Sequence, residues 1–534
     1  MRWGVPGNRK IQERGSRKRT PRTRRAAVKQ EGHLQGSAGR MSLKLSCDRM
    51  VPAQRDEGPW ELKFPLHHRT DVVGFVHLYD QIASDPARRY HSPVRGGVMR
   101  RNMTFVLLVL GLAMVLPQLA AAAGFSIYEA GSRATAMGCA FTATADDGSA
   151  MFYNPAGISF LSGSNLDVNI FGIAPKIKFS EATDLSGGTA TGETKSKTYI
   201  SPGTYYTTHL TNDTAFGVGV YAPFGLGVKW QDPETWIGRQ VSYDVQIQTI
   251  YVTPALSFAM CDEVLAVAVG LDVAVQKLEL HRNTLHPTLG INALDTEISG
   301  TSEPDITPSM GVMFRPNDKL SFGLMYHMAK TMNYENKDAT LANVIAPGQD
   351  GYAWSSQLLA GLGGSDQTIS SQFKLPSIKS AAVSYRFSEK LRGEVDYVYF
   401  GWDHFDELRL DFTNDDLDQA IEFNYEDAWQ LRCGVEYDWK PDQIKLMAGY
   451  VYDTTPQPLA AVSPLLPDSD RQDYSLGFAY KSGNYDVTVS YMAVIGDERT
   501  NIENGNRANP DPAYPVGTYS SVANILGVGF GYHF

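Results

Sequence analysis

The chain has 534 residues, 43% of them hydrophobic, with 49 Gly, 27 Tyr and 23 Phe, a composition that excludes disorder and supplies a large folded body. Its formal charge of −10 is split unevenly: residues 1–102 hold 22 basic against 9 acidic side chains, leaving 26 against 49 for the remainder. The four cysteines, Cys47, Cys139, Cys261 and Cys433, stand far apart, with neither a disulfide framework nor metal-ligand spacing.

The basic lead includes "RGSRKRTPRTRR" (14–25), which lacks the aromatic interleaving and the adjoining module of a nucleic-acid arm, so no nucleic-acid partner is expected. Behind it, "MRRNMTFVLLVLGLAMVLPQLAAAAGF" (99–125) has the layout of a secretory signal. Arg100 and Arg101 form the charged region, Phe105 to Leu116 the apolar core, and Ala120 to Ala123 the small-residue cleavage site. The apolar core is shorter than the roughly 20 residues of a spanning helix. Export signals act at or near the amino terminus, so 1–98 is expected to be a basic extension outside the mature protein. The signal then covers 99–122, and the mature chain begins at Ala123 or Gly124.

From residue 164 the pattern has period two. In "WQLRCGVEYDW" (429–439), Trp429, Leu431, Cys433, Val435, Tyr437 and Trp439 share one face, and Gln430, Arg432, Gly434, Glu436 and Asp438 the other. In "NILGVGFGYHF", Leu526, Val528, Phe530, Tyr532 and Phe534 alternate with Gly527, Gly529, Gly531 and His533. Charge and glycine opposite the apolar face suit a barrel with lipid outside and a polar lumen. Strands are expected at 164–178, 199–210, 214–228, 240–260, 264–281, 306–315, 319–336, 371–387, 389–413, 426–438, 443–453, 471–481, 484–496 and 520–534. Short and long connections alternate between these fourteen segments, as in an antiparallel outer-membrane barrel. Phe534 is the expected assembly signal for the barrel assembly machinery, and the barrel is expected to be a monomer in contact with outer-membrane lipid.

The mature segment before the barrel, 123–163, is too short to bury its own core and too apolar for a solvated tail. It is expected to fill the lumen as a plug, with Phe125 among its apolar residues and Asn154, Pro155 and Ala156 as a fixed turn. In the barrel wall, Arg392, Glu394, Asp396, Arg432 and Glu436 face inward near the short-turn end and read as a structural network of opposite charges. One Arg could instead bind a carboxylate.

The run "AGFSIYEAGSRATAMGCAFTATADDGSAMFYNPAGIS" from Ala123, with "GVGVYAPFGLGVKW" (217–230), "LPDSDR" (466–471) and the terminal Phe, resembles the FadL-type transporters of long-chain fatty acids and hydrocarbons. The resemblance spans 123–534. It implies an all-β, fourteen-stranded barrel closed by an amino-terminal hatch, in which an inward kink of the third strand opens the wall sideways. Pro223, Phe224 and Gly225 mark that place, because Pro cannot donate to a ladder and Gly admits a bulge. An ordinary bulge is the alternative there.

The reading that follows is uptake of hydrophobic compounds. A greasy solute moving sideways from lumen to leaflet exposes no apolar surface to water. Trp354, Leu358, Leu359 and Leu362, at helical spacing in the long loop 341–364, form either a collecting groove or ordinary loop packing. A general porin would lack the plug. A barrel enzyme would need a nucleophile with a nearby base, and the mature histidines sit in no such motif, so neither catalysis nor a cofactor is expected.

Overall fold

The computed structural model describes residues 124–183 and 188–534. Before these, it describes a two-residue antiparallel pairing of Leu43–Lys44 with Glu61–Leu62, in the unit Met1–His91. Otherwise the expected extension 1–98 and signal 99–122 lie outside the described residues.

Fourteen strands follow in chain order: β1 (Ser164–Glu181), β2 (Tyr199–His209), β3 (Thr214–Lys229), β4 (Asp244–Met260), β5 (Leu265–Leu285), β6 (Asn292–Thr301 with Asp305–Asn317) and β7 (Leu320–His327 with Lys330–Asn343). The second half comprises β8 (Asp366–Leu375 with Ser377–Arg386), β9 (Leu391–Gly401 with Glu407–Phe412), β10 (Gln419–Glu422 with Ala428–Lys440), β11 (Ile444–Asp453), β12 (Arg471–Ser482), β13 (Tyr485–Gly496) and β14 (Gly517–His533). Each pairs antiparallel with its neighbours, and β14 closes the barrel on β1 from Gly517↔Glu181 to His533↔Asn165. Closure leaves no free sheet edge, the condition for crossing lipid with strands.

The period-two reading holds on both faces. Leu526, Val528 and Phe530 are exposed on the outer wall, while Gly527, Gly529 and Gly531 are buried inside. Rows of exposed Tyr and Trp, such as Tyr437, Trp439, Tyr480 and Tyr485 toward the short turns, girdle the apolar band. Phe534 ends the outward row, with its ring edge-on to Tyr532 and its amide donating to Ser164 O at 2.9 Å.

One of the expected long loops is largely strand. β5 runs to Leu285 and the first half of β6 begins at Asn292, so the loop read at 282–305 shrinks to 286–291. The loop read at 414–425 contains as strand only the short Gln419–Glu422 of β10. Around Asn292 the wall rises above the lipid band: Ala293 and Ile298 are buried inside, but Glu297 is exposed outside. Without lipid the outer face turns polar, and the alternation that marks a membrane strand fades. Of the cysteines in the described barrel and lumen, Cys139 and Cys433 are free.

Candidate functional site

Residues 124–163 lie inside the lumen and are almost wholly buried. They form a short helix α1 (Ser132–Ala136), a single turn α2 (Ala150–Tyr153) and a 3-10 helix, Pro155–Phe160. Irregular backbone in a barrel must find partners in the wall, and here it does. Asp396 Oδ2 accepts from the amides of Phe141 (3.1 Å) and Thr142 (3.0 Å), and Glu394 Oε1 from Ala143 N at 2.6 Å. Arg432 Nη1 donates to Cys139 O at 3.2 Å. Arg133 of the hatch binds Glu436 and Asp146, each at 2.6 Å, and Arg392 of β9 joins the same two carboxylates at 2.8 and 3.0 Å. Burial by itself would raise the Asp146 carboxyl, but Arg133 and Arg392 hold it well below the usual range. The inward charges therefore do more than brace neighbouring strands. They fasten the hatch.

Asn154 is the junction of α2 and the 3-10 helix, extended at φ −168°, with Pro155 as the first residue of the next turn. Its Nδ2 donates to Thr142 O (2.9 Å) and to Val312 O in β6 (3.0 Å), while its Oδ1 accepts from Ala156 N at 3.2 Å. Proline at this position has no amide to leave unpaired, and its φ starts the helix. β6 comes this close because Gly311 faces the turn; a Cβ there would overlap Asn154 Oδ1 and lie 3.0 Å from Pro155 Cδ. Gly323 meets Thr142 O and Gly434 meets Met137 O in the same way. The lumen-facing glycines thus provide room for the hatch backbone.

β3 is not interrupted at Pro223 to Gly225. It carries a register irregularity there, as the bulge alternative expects, and changes partner. Its pairing with β2 ends at Gly203↔Tyr221, and its register against β4 slips between Tyr221 and Phe224. Above the irregularity the hatch replaces β2: Ile127 N donates to Pro223 O and Gly225 N to Phe125 O, both at 2.8 Å, with Ser126 bridged antiparallel to Phe224. Higher still the wall rejoins, where Lys195 N donates to Lys229 O at 2.7 Å and Thr194 is bridged to Trp230. Between these levels no ladder pairs β2 with β3, and the first residues of the lumen segment are hydrogen-bonded to β3 instead.

Phe125 anchors the plug. Its ring centroid lies 4.9 Å from Trp402, 5.3 Å from Phe373, and 6.0 Å from both Phe224 and Phe405. One residue earlier, Gly124 N donates to Asp468 Oδ2 at 3.0 Å, so the "LPDSDR" run holds the start of the described hatch. Burial raises the Asp468 carboxyl, with Arg471 opposing that shift. The aromatic cage was not legible beforehand, since Phe373, Trp402 and Phe405 come from separate strand ends and the chain between them carries no periodic signal.

The loop residues separate. A helix α3 (Tyr352–Gly361) forms as the spacing suggests, with Leu362 as its C-terminal cap, but its one buried residue is Ser355. Leu359 lines a hollow with Tyr352, Ser356 and the strand-end residues Val344 to Pro347. Trp354 and Leu358 lie on the other side of the helix by helical spacing, where the Trp354 ring packs tilted against His286, centroids 4.6 Å apart. The four residues therefore do not form one amphipathic stripe. Leu289, Ile291 and Val344 nearby are exposed and extend the apolar surface of these loops.

The family model described as outer membrane protein transport protein (OMPP1/FadL/TodX) matches residues 113–534. A long-chain fatty acid transport protein of Escherichia coli O6:H1 is 22% identical over 74% of this chain and 92% of its own length. Outer membrane protein P1 of Haemophilus influenzae is 24% identical over 66% of this chain and 78% of its own. Among solved structures, a Pseudomonas aeruginosa FadL homologue superposes with a TM-score of 0.64 at 20% identity, covering 77% of this chain and all of that one. The Pseudomonas putida toluene transporter TodX gives 0.56 at 16%, over 77% of this chain and all of its own. The match over the hatch and all fourteen strands shows that this chain belongs to the OMPP1/FadL/TodX family of outer-membrane transporters of hydrophobic compounds.

Proposed function

We propose that the protein takes up hydrophobic compounds, long-chain fatty acids or hydrocarbons among them, by lumen binding, hatch rearrangement and lateral exit at β3. The supporting observation is the exchange of partners at Pro223 to Gly225, where β3 leaves β2 and pairs with the first hatch residues. Unpaired backbone facing lipid would cost several kcal/mol per group, which the hatch bonds avoid. The solute is collected on the apolar loop surface around Leu359, passes to the aromatic cage, and competes with Phe125 for Phe373, Trp402 and Phe405. Release of Phe125 frees the segment that plugs the opening, and the solute leaves into the leaflet with its apolar surface covered throughout. The relatives' names, a fatty acid transporter and a toluene transporter, bracket the substrate class.

In this reading the working protein is 123–534, 1–98 is not part of it, Phe534 signals the barrel assembly machinery, and a single chain is the complete transporter. No enzymatic step is involved. The test is Gly225→Glu, with uptake of labelled fatty acid and heat-modifiable gel migration measured on the same cells. Loss of uptake with a folded barrel supports lateral exit; wild-type uptake rules it out. Mass spectrometry of ligand extracted from the purified protein identifies the substrate, and a purely polar extract counts against the class.

A further inference from the structure

The proposed lateral opening has a second closure besides the hatch. Above Tyr221 no ladder pairs β3 with β2, and the Tyr199 side chain of β2 lies against β3 instead. It is buried, and a Cβ built on Gly227 would overlap its ring at Cζ, so the ring lies flat on the glycine backbone. Gly227 is paired with Gln246 of β4 on its other side. Lys197, in the connection just before β2, completes the arrangement: its Nζ stands 4.7 Å from the Tyr199 ring centroid and donates to Gln246 Oε1 of β4 at 3.3 Å. Gly227 itself lines a small cavity whose walls are apolar at Ile177, Leu226, Val228 and Val494 and polar at Asp468 and Arg471.

We propose that Tyr199 is the gate of the lateral opening, a ring that closes the wall over Gly227 and is latched by Lys197. Three features favour a moving part over ordinary packing. Tyr199 is on the stretch of β2 that pairs with β1, through Ile173↔Tyr199, but has no partner in β3, so its side chain can turn without breaking a ladder. The latch is an exposed ammonium over a ring, an interaction worth only about 0.5–1 kcal/mol at such sites, and therefore easily released. And the surface under the ring is glycine, which offers no side chain to interlock with it. Tyr199 thereby determines how wide a solute can leave.

This inference rests on lateral exit, and the experiment separates the two. Leu226→Cys places a thiol in the cavity that Gly227 lines, and its labelling by a maleimide dissolved in the bilayer is followed by peptide mass spectrometry, which distinguishes it from Cys433. With Tyr199 or Tyr199→Phe labelling is slow, because both keep the ring. With Tyr199→Ala it rises about tenfold, equivalent to about 1.4 kcal/mol off the barrier. Should Tyr199→Ala fail to fold by gel migration, Tyr199→Leu serves, with a rise in the same direction. Equal rates in all folded variants overturn the gate. If they are equal while Gly225→Glu still blocks uptake, lateral exit survives without it; if labelling rises while Gly225→Glu transports normally, the ring closes the wall but the solute leaves elsewhere.

Discussion

Replacing Phe125 by Ala tests what holds the plug in the wall. The ring touches four aromatic side chains and is almost completely buried. Truncating a buried Phe to Ala costs about 3–5 kcal/mol. The segment's other ties to β3 are the two backbone bonds at Pro223 O and Gly225 N, worth together about 1–3 kcal/mol, while Gly124 N is held separately by Asp468 Oδ2. The loss exceeds the two β3 bonds, so residues 125–127 should detach from β3 while the barrel, held by its ladders, stays intact. Hydrogen exchange reads this directly: the Gly225 and Ile127 amides lose protection by about two orders of magnitude, since each 1.4 kcal/mol is about tenfold, and amides in β12 and β13 do not change. Gel migration should match the wild type. If the Gly225 amide stays as protected as before in a folded barrel, Phe125 is not the anchor, and a solute cannot open the wall by displacing it.

Gly311→Ala should expel the Asn154 turn, because a Cβ there overlaps Asn154 Oδ1; limited proteolysis should cut the hatch in a barrel that still shows normal gel migration, and an uncut hatch would count against the fit. Deleting Asn154 to Ala156 should leave the barrel assembled but impair uptake, and normal uptake would reduce the motif to a passive turn. Burial, followed by the charge of Asp473, pushes the hatch Glu129 up to about 7 from an ordinary 4.5. The docked hatch then binds more protons than a released one between these values, so docking should weaken as pH rises from about 4.5 to 7 and level off above, by up to about 3 kcal/mol. Exchange at Ile127 measured across that range should show this slope, and Glu129→Gln should abolish it. Amino-terminal sequencing of membrane-extracted protein should give Ala123 or Gly124; an intact Met1 would refute the processing scheme.

The sequence by itself carried the barrel. Alternation such as Leu526, Val528, Phe530 against Gly527, Gly529, Gly531 is imposed by lipid on one side and lumen on the other, so the number of strands and the side of each residue follow from local pattern alone. Asn154 and Pro155 likewise marked a fixed turn through their own backbone preferences. The alternation failed where lipid ends, above Leu285 and around Asn292, because nothing there forces an apolar outer face. Only the tertiary structure decided what the inward residues are for. Glu394, Asp396 and Glu436 read as cross-strand pairs, and Glu436 does pair with Arg392 across strands, but all three also bind amides or an arginine of the hatch more than 200 residues away. Gly311 and Gly227 read as small residues, but one makes room for Asn154 and the other for Tyr199. A contact between a wall and the segment folded inside it leaves no trace in the spacing of either, since the closure of the barrel, and not the order of the chain, brings them together.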